Sequence, residues 1–321
     1  MVHKIYEKVM DNKLIEYNEA LSLIDAPLNV LLDYADKIRQ KFCRNIFDVC
    51  SIINAKSGKC SEDCKFCAQS AHYNTNISEY PLISKDEIVK NAIYMAEKGV
   101  IRFSIVTSGK ALSHKEIDIL CQAISEIKSK CNISVCASLG LISDESFEKL
   151  KKAGLERVHN NLEASKNYFK NVCSTHTFED KVKALKAAKK HNLSVCSGMI
   201  IGLGENMEDR INLTFSLREL EVNSIPVNIL TNIKGTPYEN NIPLSYDEIL
   251  KTVAIIRFIT PYAFIRLAGG RNQLKDKGFK AFSSGVNAVI TGDMLTTSGI
   301  SVDDDMDMIK NKGYKVELLN G

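Results

Sequence analysis

Three cysteines packed into one short stretch, Cys60, Cys64 and Cys67, constrain this chain more than any other feature. They stand in Lys59-Cys60-Ser61-Glu62-Asp63-Cys64-Lys65-Phe66-Cys67-Ala68-Gln69-Ser70, a C-x3-C-x2-C spacing that follows an apolar run at 49–53 reading as a strand. Gaps of two to four residues let one loop wrap several thiolates round a single metal centre. A closed tetrahedral zinc site wants four ligands, so three suit a four-iron, four-sulfur (4Fe-4S) cube with one iron left open. An open iron can take a small molecule through an amine and a carboxylate. The alternatives are a zinc knuckle with a distant fourth ligand, or three unrelated thiols. Charged and small residues, not a packed stripe, surround the three cysteines, which favours the cluster.

The motif resembles the signature of the radical S-adenosylmethionine (SAM) enzymes, with Phe66 at the usual aromatic position before the last cysteine. Composition is compatible with such an enzyme. At 321 residues the chain is long for one ordinary domain, but barrels of alternating strands and helices reach about 250 residues or more. Apolar residues make up 45%, and 42 basic residues face 39 acidic ones, a balance that points to neither nucleic acid nor membrane as partner. Ten cysteines without an apolar leader at the N-terminus suggest a reducing compartment and a cytoplasmic home.

Organisation along the chain supports an α/β reading. Residues 1–45 read as an N-terminal helical extension, with Leu31, Leu32, Ala35 and Ile38 forming an apolar stripe suited to packing over a barrel base. Eight strand candidates follow at 50–55, 102–106, 133–138, 157–161, 193–201, 224–230, 263–267 and 287–290. Helices fit between them, three opening on S-x-x-E capping boxes at Ser84/Glu87, Ser113/Glu116 and Ser245/Glu248. The sequence thus predicts a (β/α)8 TIM-type barrel over 46–300 and a C-terminal tail, 301–321, packed on it. In such a barrel the loops after the strands carry the chemistry, and the cysteine loop follows the first strand.

Several strand residues are out of place in an ordinary core. Cys136, Cys196 and Arg266 lie within strand candidates, and a mid-strand arginine is seldom buried unless it is paired or meets a ligand. A single strand cysteine is more often a small core residue than a ligand; the combination raises all three.

With these residues the resemblance narrows to the biotin synthase family, across nearly the whole chain. Matching stretches include the cysteine loop, Asn160-Asn161-Leu162-Glu163-Ala164-Ser165, Cys196-Ser197-Gly198, Lys234-Gly235-Thr236-Pro237, Arg266-Leu267-Ala268-Gly269-Gly270-Arg271 and Gly292-Asp293-Met294-Leu295-Thr296-Thr297. The resemblance implies a 4Fe-4S cluster on Cys60, Cys64 and Cys67 that reduces SAM. It implies a 5′-deoxyadenosyl radical that takes hydrogen from dethiobiotin, and an auxiliary iron–sulfur cluster that supplies the sulfur of biotin. Carbons without an acidic proton are beyond acid–base residues, so the hard step falls to cofactors. By position Glu163 resembles the carboxylate that binds the SAM ribose, and Gly198, Ile200 and Gly202 the segment bordering the adenosine. Asn161 and Asn228 resemble the residues that hold the ureido ring of dethiobiotin, since an amide offers both donor and acceptor. Tight turns and strand-end caps are the plainer roles for these positions. The family likeness also suggests a flavodoxin or ferredoxin as electron donor and a homodimer. Related radical SAM enzymes of the hydrogenase-maturase or methylornithine-synthase type are the alternative, and a noncatalytic iron–sulfur or zinc module is a third reading.

One departure stands out. The family holds its auxiliary cluster, a two-iron centre, with three strand cysteines and the arginine, yet Ser104 occupies one cysteine position. Cys50 lies on the first strand, where the family commonly has serine. An inward Cys50 joins Cys136 and Cys196 in a new three-thiolate set, better suited to a four-iron centre than to a two-iron rhomb. Cys43 is a reserve ligand, whereas Cys121, Cys131 and Cys173 lack this context and the six histidines show no metal spacing. His159 is a further residue that could face the cavity.

Overall fold

The computed structural model describes residues 1–318. Three helices lead in: α1 (Val2–Met10), α2 (Tyr17–Ser22) and α3 (Leu28–Cys43). The barrel then runs β1 (Ile46–Lys56), α4 (Lys85–Glu97), β2 (Arg102–Thr107), α5 (His114–Lys130), β3 (Ser134–Ser138), α6 (Asp144–Lys152) and β4 (Arg157–His159). It continues with α7 (Phe178–Lys190), β5 (Ser194–Cys196), β6 (Met199–Ile201), α8 (Met207–Glu219), β7 (Ser224–Ile229), α9 (Tyr246–Ile259), β8 (Phe264–Leu267) and β9 (Ala288–Thr291). All pairings are parallel, and β9 returns to β1 with Asp48 opposite Ala288 and Cys50 opposite Ile290, closing the cylinder.

The predicted fifth strand, 193–201, is broken. β5 pairs with β4 and touches β7 only at Cys196–Ser224, whereas β6 pairs with β7 from Met199–Val227 onward. Together they make one stave, so the barrel has eight. The break has a steric cause at Gly198: a β-carbon there would lie 1.9 Å from the Pro226 carbonyl oxygen.

Strand alternation gives each stave two destinations. Val49, Phe103, Ile105, Val135, Val158, Val195, Ile225, Val227, Ile265 and Val289 point outward and are buried beneath the helices. The inward set carries the polar and sulfur-bearing residues, with Ile52, Val106 and Ile290 among them, and it makes the site. Helix starts are capped as the sequence indicates, with Ser84, Ser113 and Ser245 accepting from the amides of Glu87, Glu116 and Glu248. Only Ser113/Glu116 is reciprocal among those three; Thr177/Asp180 and Asn206/Asp209 form reciprocal boxes with aspartate, which an S-x-x-E search passes over.

Helix α3 lies against α9, burying Leu31, Leu32, Ala35 and Ile38. Beneath it the fully buried Arg257 donates to the carbonyls of Gly285, Pro261 and Ala263 and to Asn287 Oδ1 at 2.7–3.0 Å, tying off the base of β8 and β9. Cys43 sits 3.3 Å from this guanidinium and outside the cavity, which corrects its standing as a reserve ligand. After the last stave, α10 (Val302–Asn311) buries Asp305 against Arg271, and β10 (Lys315–Val316) pairs with the start of β1 at the base.

Candidate active site

A cavity of about 310 Å3 occupies the barrel axis and opens at the C-terminal ends of the strands. At its mouth stand Phe66, Cys67 and Gln69 from the loop after β1; in its depth stand Cys50, Ser104, Cys136, Cys196, Arg266 and His159. This volume is within the range of small-molecule sites.

The cysteine loop is rigidly built. The amide of Cys60 donates to Gln69 O at 3.0 Å, that of Ala71 to Cys60 O at 2.8 Å, and that of Cys67 to Cys64 O at 2.9 Å. All three thiols are partly exposed. Cys67 lines the cavity, whereas the Cys64 sulfur lies with Cys173 Sγ and a ring nitrogen of His176, all within 4.8 Å of one another. Cys173 therefore has the metal-like context that its sequence position concealed, and His176 joins it despite the absence of histidine spacing. The contact with Cys64 is the largest of the influences that bring Cys173 down to about 4, while the same contact and burial push Cys64 up.

In the depth, alternation on β1 turns Asp48, Cys50 and Ile52 inward, and the neighbouring staves add Arg102 and Ser104, Cys136, Arg157 and His159, Cys196, and Arg266. Arg266 donates to Asp48 Oδ1 at 2.6 Å and to Val289 O at 2.7 Å; Arg102 reaches Asp48 Oδ2 at 3.2 Å. Asp48 thus bridges two guanidiniums. Burial alone would raise its pKa, but the charges of Arg266, Arg102 and Arg157 hold it well below the usual carboxylate range. Arg157 Nη1 and Arg102 Nε are buried without partners. Three guanidiniums facing one carboxylate leave the floor cationic, which suits an anionic occupant.

The sulfurs differ in character. Burial pushes Cys50 up to about 12, and burial with the neighbouring Cys196 raises Cys136 to about 11. Burial acts on Cys196 too, but His159, whose Nδ1 lies 3.4 Å from the sulfur, and the guanidiniums of Arg266 and Arg157 bring it down to about 6. The Ser224 hydroxyl adds a hydrogen bond to the same sulfur at 3.3 Å.

Between mouth and floor, Glu163 has φ +68°, a left-handed conformation unusual for this residue type, fixed by main-chain bonds to Gly198 and Ile200. Its Oε2 is buried and unpartnered, and burial pushes its pKa up. Asn161 Oδ1 accepts from the Gly198 amide at 2.9 Å, which pins the turn between β5 and β6. Asn228 donates to Met199 O at 3.1 Å and accepts from Gly269 N at 3.0 Å, stitching three staves together. The strand-end capping role is therefore present at both asparagines, and Asn228 keeps one N–H and one lone pair for a ligand. Ile200 lines the cavity, whereas Gly202, at φ +95°, turns its amide onto Glu205 Oε1 at 2.9 Å and lies behind the wall.

Asp48, Arg102, Arg157, Cys173 and His176 are the participants that sequence reasoning missed. The first three were within reach, because counting by twos from Cys50, Ser104 and His159 lands on them. The last two were not, since the contact spans more than a hundred residues of chain.

Comparison with known proteins agrees with this geometry. The model of the Radical SAM superfamily matches residues 55–217, and that of the Biotin and Thiamin Synthesis associated domain matches 226–315. A biotin synthase of Brachyspira hyodysenteriae is 55% identical over 98% of this chain and 95% of its own length. One of Clostridium botulinum is 51% identical over 98% of both. The crystal structure of a methylornithine synthase superposes with a TM-score of 0.85 over 98% of this chain and 97% of that one, at 18% identity, a likeness of fold alone. Cavity, loop and near full-length identity converge: the chain belongs to the biotin synthase family of radical SAM enzymes.

Proposed function

We propose that this barrel converts dethiobiotin to biotin by radical sulfur insertion, with Cys60, Cys64 and Cys67 holding the 4Fe-4S cluster that cleaves SAM. One observation carries the reading: a single cavity runs from the cysteine loop at its mouth to Cys50, Cys136, Cys196 and Arg266 at its floor. When bound, the cluster and SAM supply a one-electron reduction and a hydrogen-abstracting carbon radical. The chain's own residues do the rest. The orphaned Glu163 Oε2, buried in the cavity wall, fits a ligand hydroxyl. Phe66 and Ile200 give the adenosine end apolar contact, while Gly198 and Gly202 allow the wall to turn where it does. Asn161 and Asn228 present the remaining amide groups to the ureido ring. The closed wall keeps water from the reacting carbons.

An auxiliary iron–sulfur cluster on Cys50, Cys136 and Cys196 is the proposed sulfur source. These thiols line the same floor, next to a guanidinium locked by Asp48, and the cationic surroundings match the negative charge of thiolate-ligated iron. Ser104 lines the floor as well, opposite Cys136 in the β2–β3 register, and serves as a neighbour rather than a ligand. A flavodoxin or ferredoxin as reductant, a homodimeric state and a cytoplasmic location complete the proposal; no helix among the described residues is long and apolar enough to cross a membrane. The test is direct. Anaerobically reconstituted, reduced protein given SAM and dethiobiotin yields biotin and 5′-deoxyadenosine by mass spectrometry. 5′-Deoxyadenosine without biotin would keep the radical chemistry and reject the substrate.

A further inference from the structure

Beside the cluster loop, on the side away from the cavity, the structure holds a second cluster of metal-binding groups. Cys64 Sγ, Cys173 Sγ and a ring nitrogen of His176 all lie within 4.8 Å of one another, with Cys173 and His176 buried. His176 Nδ1 is 3.3 Å from Cys173 Sγ and 2.6 Å from Glu62 Oε2. Asp63 Oδ1 is 3.1 Å from the same sulfur. The two sulfurs and the imidazole are grouped closely enough for one tetrahedral zinc ion, and the 2.6 Å His176–Glu62 contact is a hydrogen bond that opens when the carboxylate turns to the metal. The segment is held independently of any ion: Asp63 accepts from the amides of Ser174 and Thr175 at 2.8 and 3.2 Å, and the Cys64–Cys67 turn is bonded to itself. Two carboxylates at the rim, Glu62 and Asp63, face one lysine, Lys110, at 3.8 Å from Glu62 Oε1.

We propose that the cluster-free chain carries a site for a thiophilic divalent cation, zinc above all, formed by Cys64, Cys173 and His176 with Glu62 as the fourth ligand. Cys64 cannot serve this site and an iron–sulfur cluster at once. Cation capture and cluster assembly therefore exclude each other, a consequence that rests on the reading of Cys64 as a cluster ligand. The site makes apo-protein loading sensitive to free zinc. Nothing is oxidised or reduced: whatever protons the two sulfurs and the imidazole hold are released as the metal–ligand bonds form.

The experiment uses full-length apo-protein, prepared anaerobically and titrated with cobalt(II) as the spectroscopic probe for zinc. The expected result is one equivalent bound with the intense visible bands of tetrahedral cobalt and near-ultraviolet thiolate charge transfer. Cys173→Ala should lose about half of that charge transfer, one of two thiolates, and weaken binding about tenfold or more. One equivalent of zinc added before iron and sulfide should suppress cluster formation in the unsubstituted chain, and Cys173→Ala should relieve that suppression. His176→Gln, which keeps both sulfurs, is the second variant should the alanine fold poorly; it should alter the visible bands while retaining the charge transfer. A thiolate-free octahedral spectrum overturns the proposal. So does zinc suppression that is undiminished in Cys173→Ala, because Cys60, Cys64 and Cys67 would then be the zinc ligands. Biotin formation by zinc-free, cluster-loaded protein is assayed separately, so failure of the enzymatic reading leaves the cobalt result standing.

Discussion

Asp48 decides the electrostatics of the cavity floor. Its carboxylate is fully buried and bridges Arg266 and Arg102, so removing its charge leaves guanidiniums facing one another without compensation. Breaking one partner of a buried pair costs about 3–5 kcal/mol. Asp48→Asn should therefore lower stability by that order in urea unfolding, although it changes only one atom. The pH dependence has a definite sign. Because the folded-state pKa lies well below the unfolded one, the contribution is full above roughly pH 4 and drains away as pH falls below it. The stability gap between the two proteins should accordingly narrow on acidification below about pH 4 and stay constant between pH 6 and 8. Glu163 behaves differently, since its Oε2 has no protein partner to lose. Glu163→Gln should barely alter the urea midpoint yet weaken SAM binding about ten- to hundredfold, the worth of a charged hydrogen bond. Equilibrium binding to cluster-loaded protein measures this. The sequence marked Glu163 and Arg266 but not Asp48, because an aspartate at a strand start looks like a surface residue until the barrel closes around it.

Among the elements, the split stave β5–β6 carries the most function. Hydrophobic periodicity described 193–201 as one strand, and an apolar run cannot reveal that its middle must accommodate a neighbour's carbonyl. Gly198 makes that accommodation, and Asn161 accepts its amide hydrogen bond at the same place. Gly198→Ala would put a methyl group 1.9 Å from the Pro226 oxygen, so β6 or β7 has to shift. Overpacking of this kind costs about 1–3 kcal/mol, and here it also displaces Asn161 and the Glu163 backbone. The expected outcome is a modest fall in the urea midpoint with a larger loss of SAM and dethiobiotin binding; Gly313→Ala, strained at φ +73° but meeting nothing within 4 Å, lowers the midpoint while leaving binding intact and so separates backbone strain from the clash at the site. Barrel class was legible because alternating strands, capped helices and a cysteine loop after the first strand agree with one another. The Cys64–Cys173–His176 grouping was not, because a loop-to-loop contact leaves no period in the sequence.

At the scale of the whole molecule, closure of the sheet brings residues from scattered staves onto one cavity floor. Cys50 and Ile290 pair across the β1–β9 seam, so only a closed cylinder brings Cys50 to the same floor as Cys136 and Cys196. In the proposed ligand set, Cys50 on the adjacent stave stands in for the cysteine that Ser104 replaces. Three thiolates around a cationic floor favour a larger centre than a flat two-iron rhomb, whose usual fourth ligand, the arginine, is already engaged by Asp48 and Val289. Iron and acid-labile sulfide analysis should give about eight irons per chain, four at each centre, rather than about six. Cys50→Ser should remove about four of them while leaving 5′-deoxyadenosine formation from SAM in place and abolishing biotin. Cys60→Ser should do the reverse to the irons and stop both products. A Cys50→Ser protein with its full iron content would refute Cys50 as a ligand of the auxiliary centre. Ser104→Cys supplies the converse: introduced beside Cys136, it should rescue iron binding in Cys50→Ser if the cavity floor, rather than one stave, determines where the cluster is held.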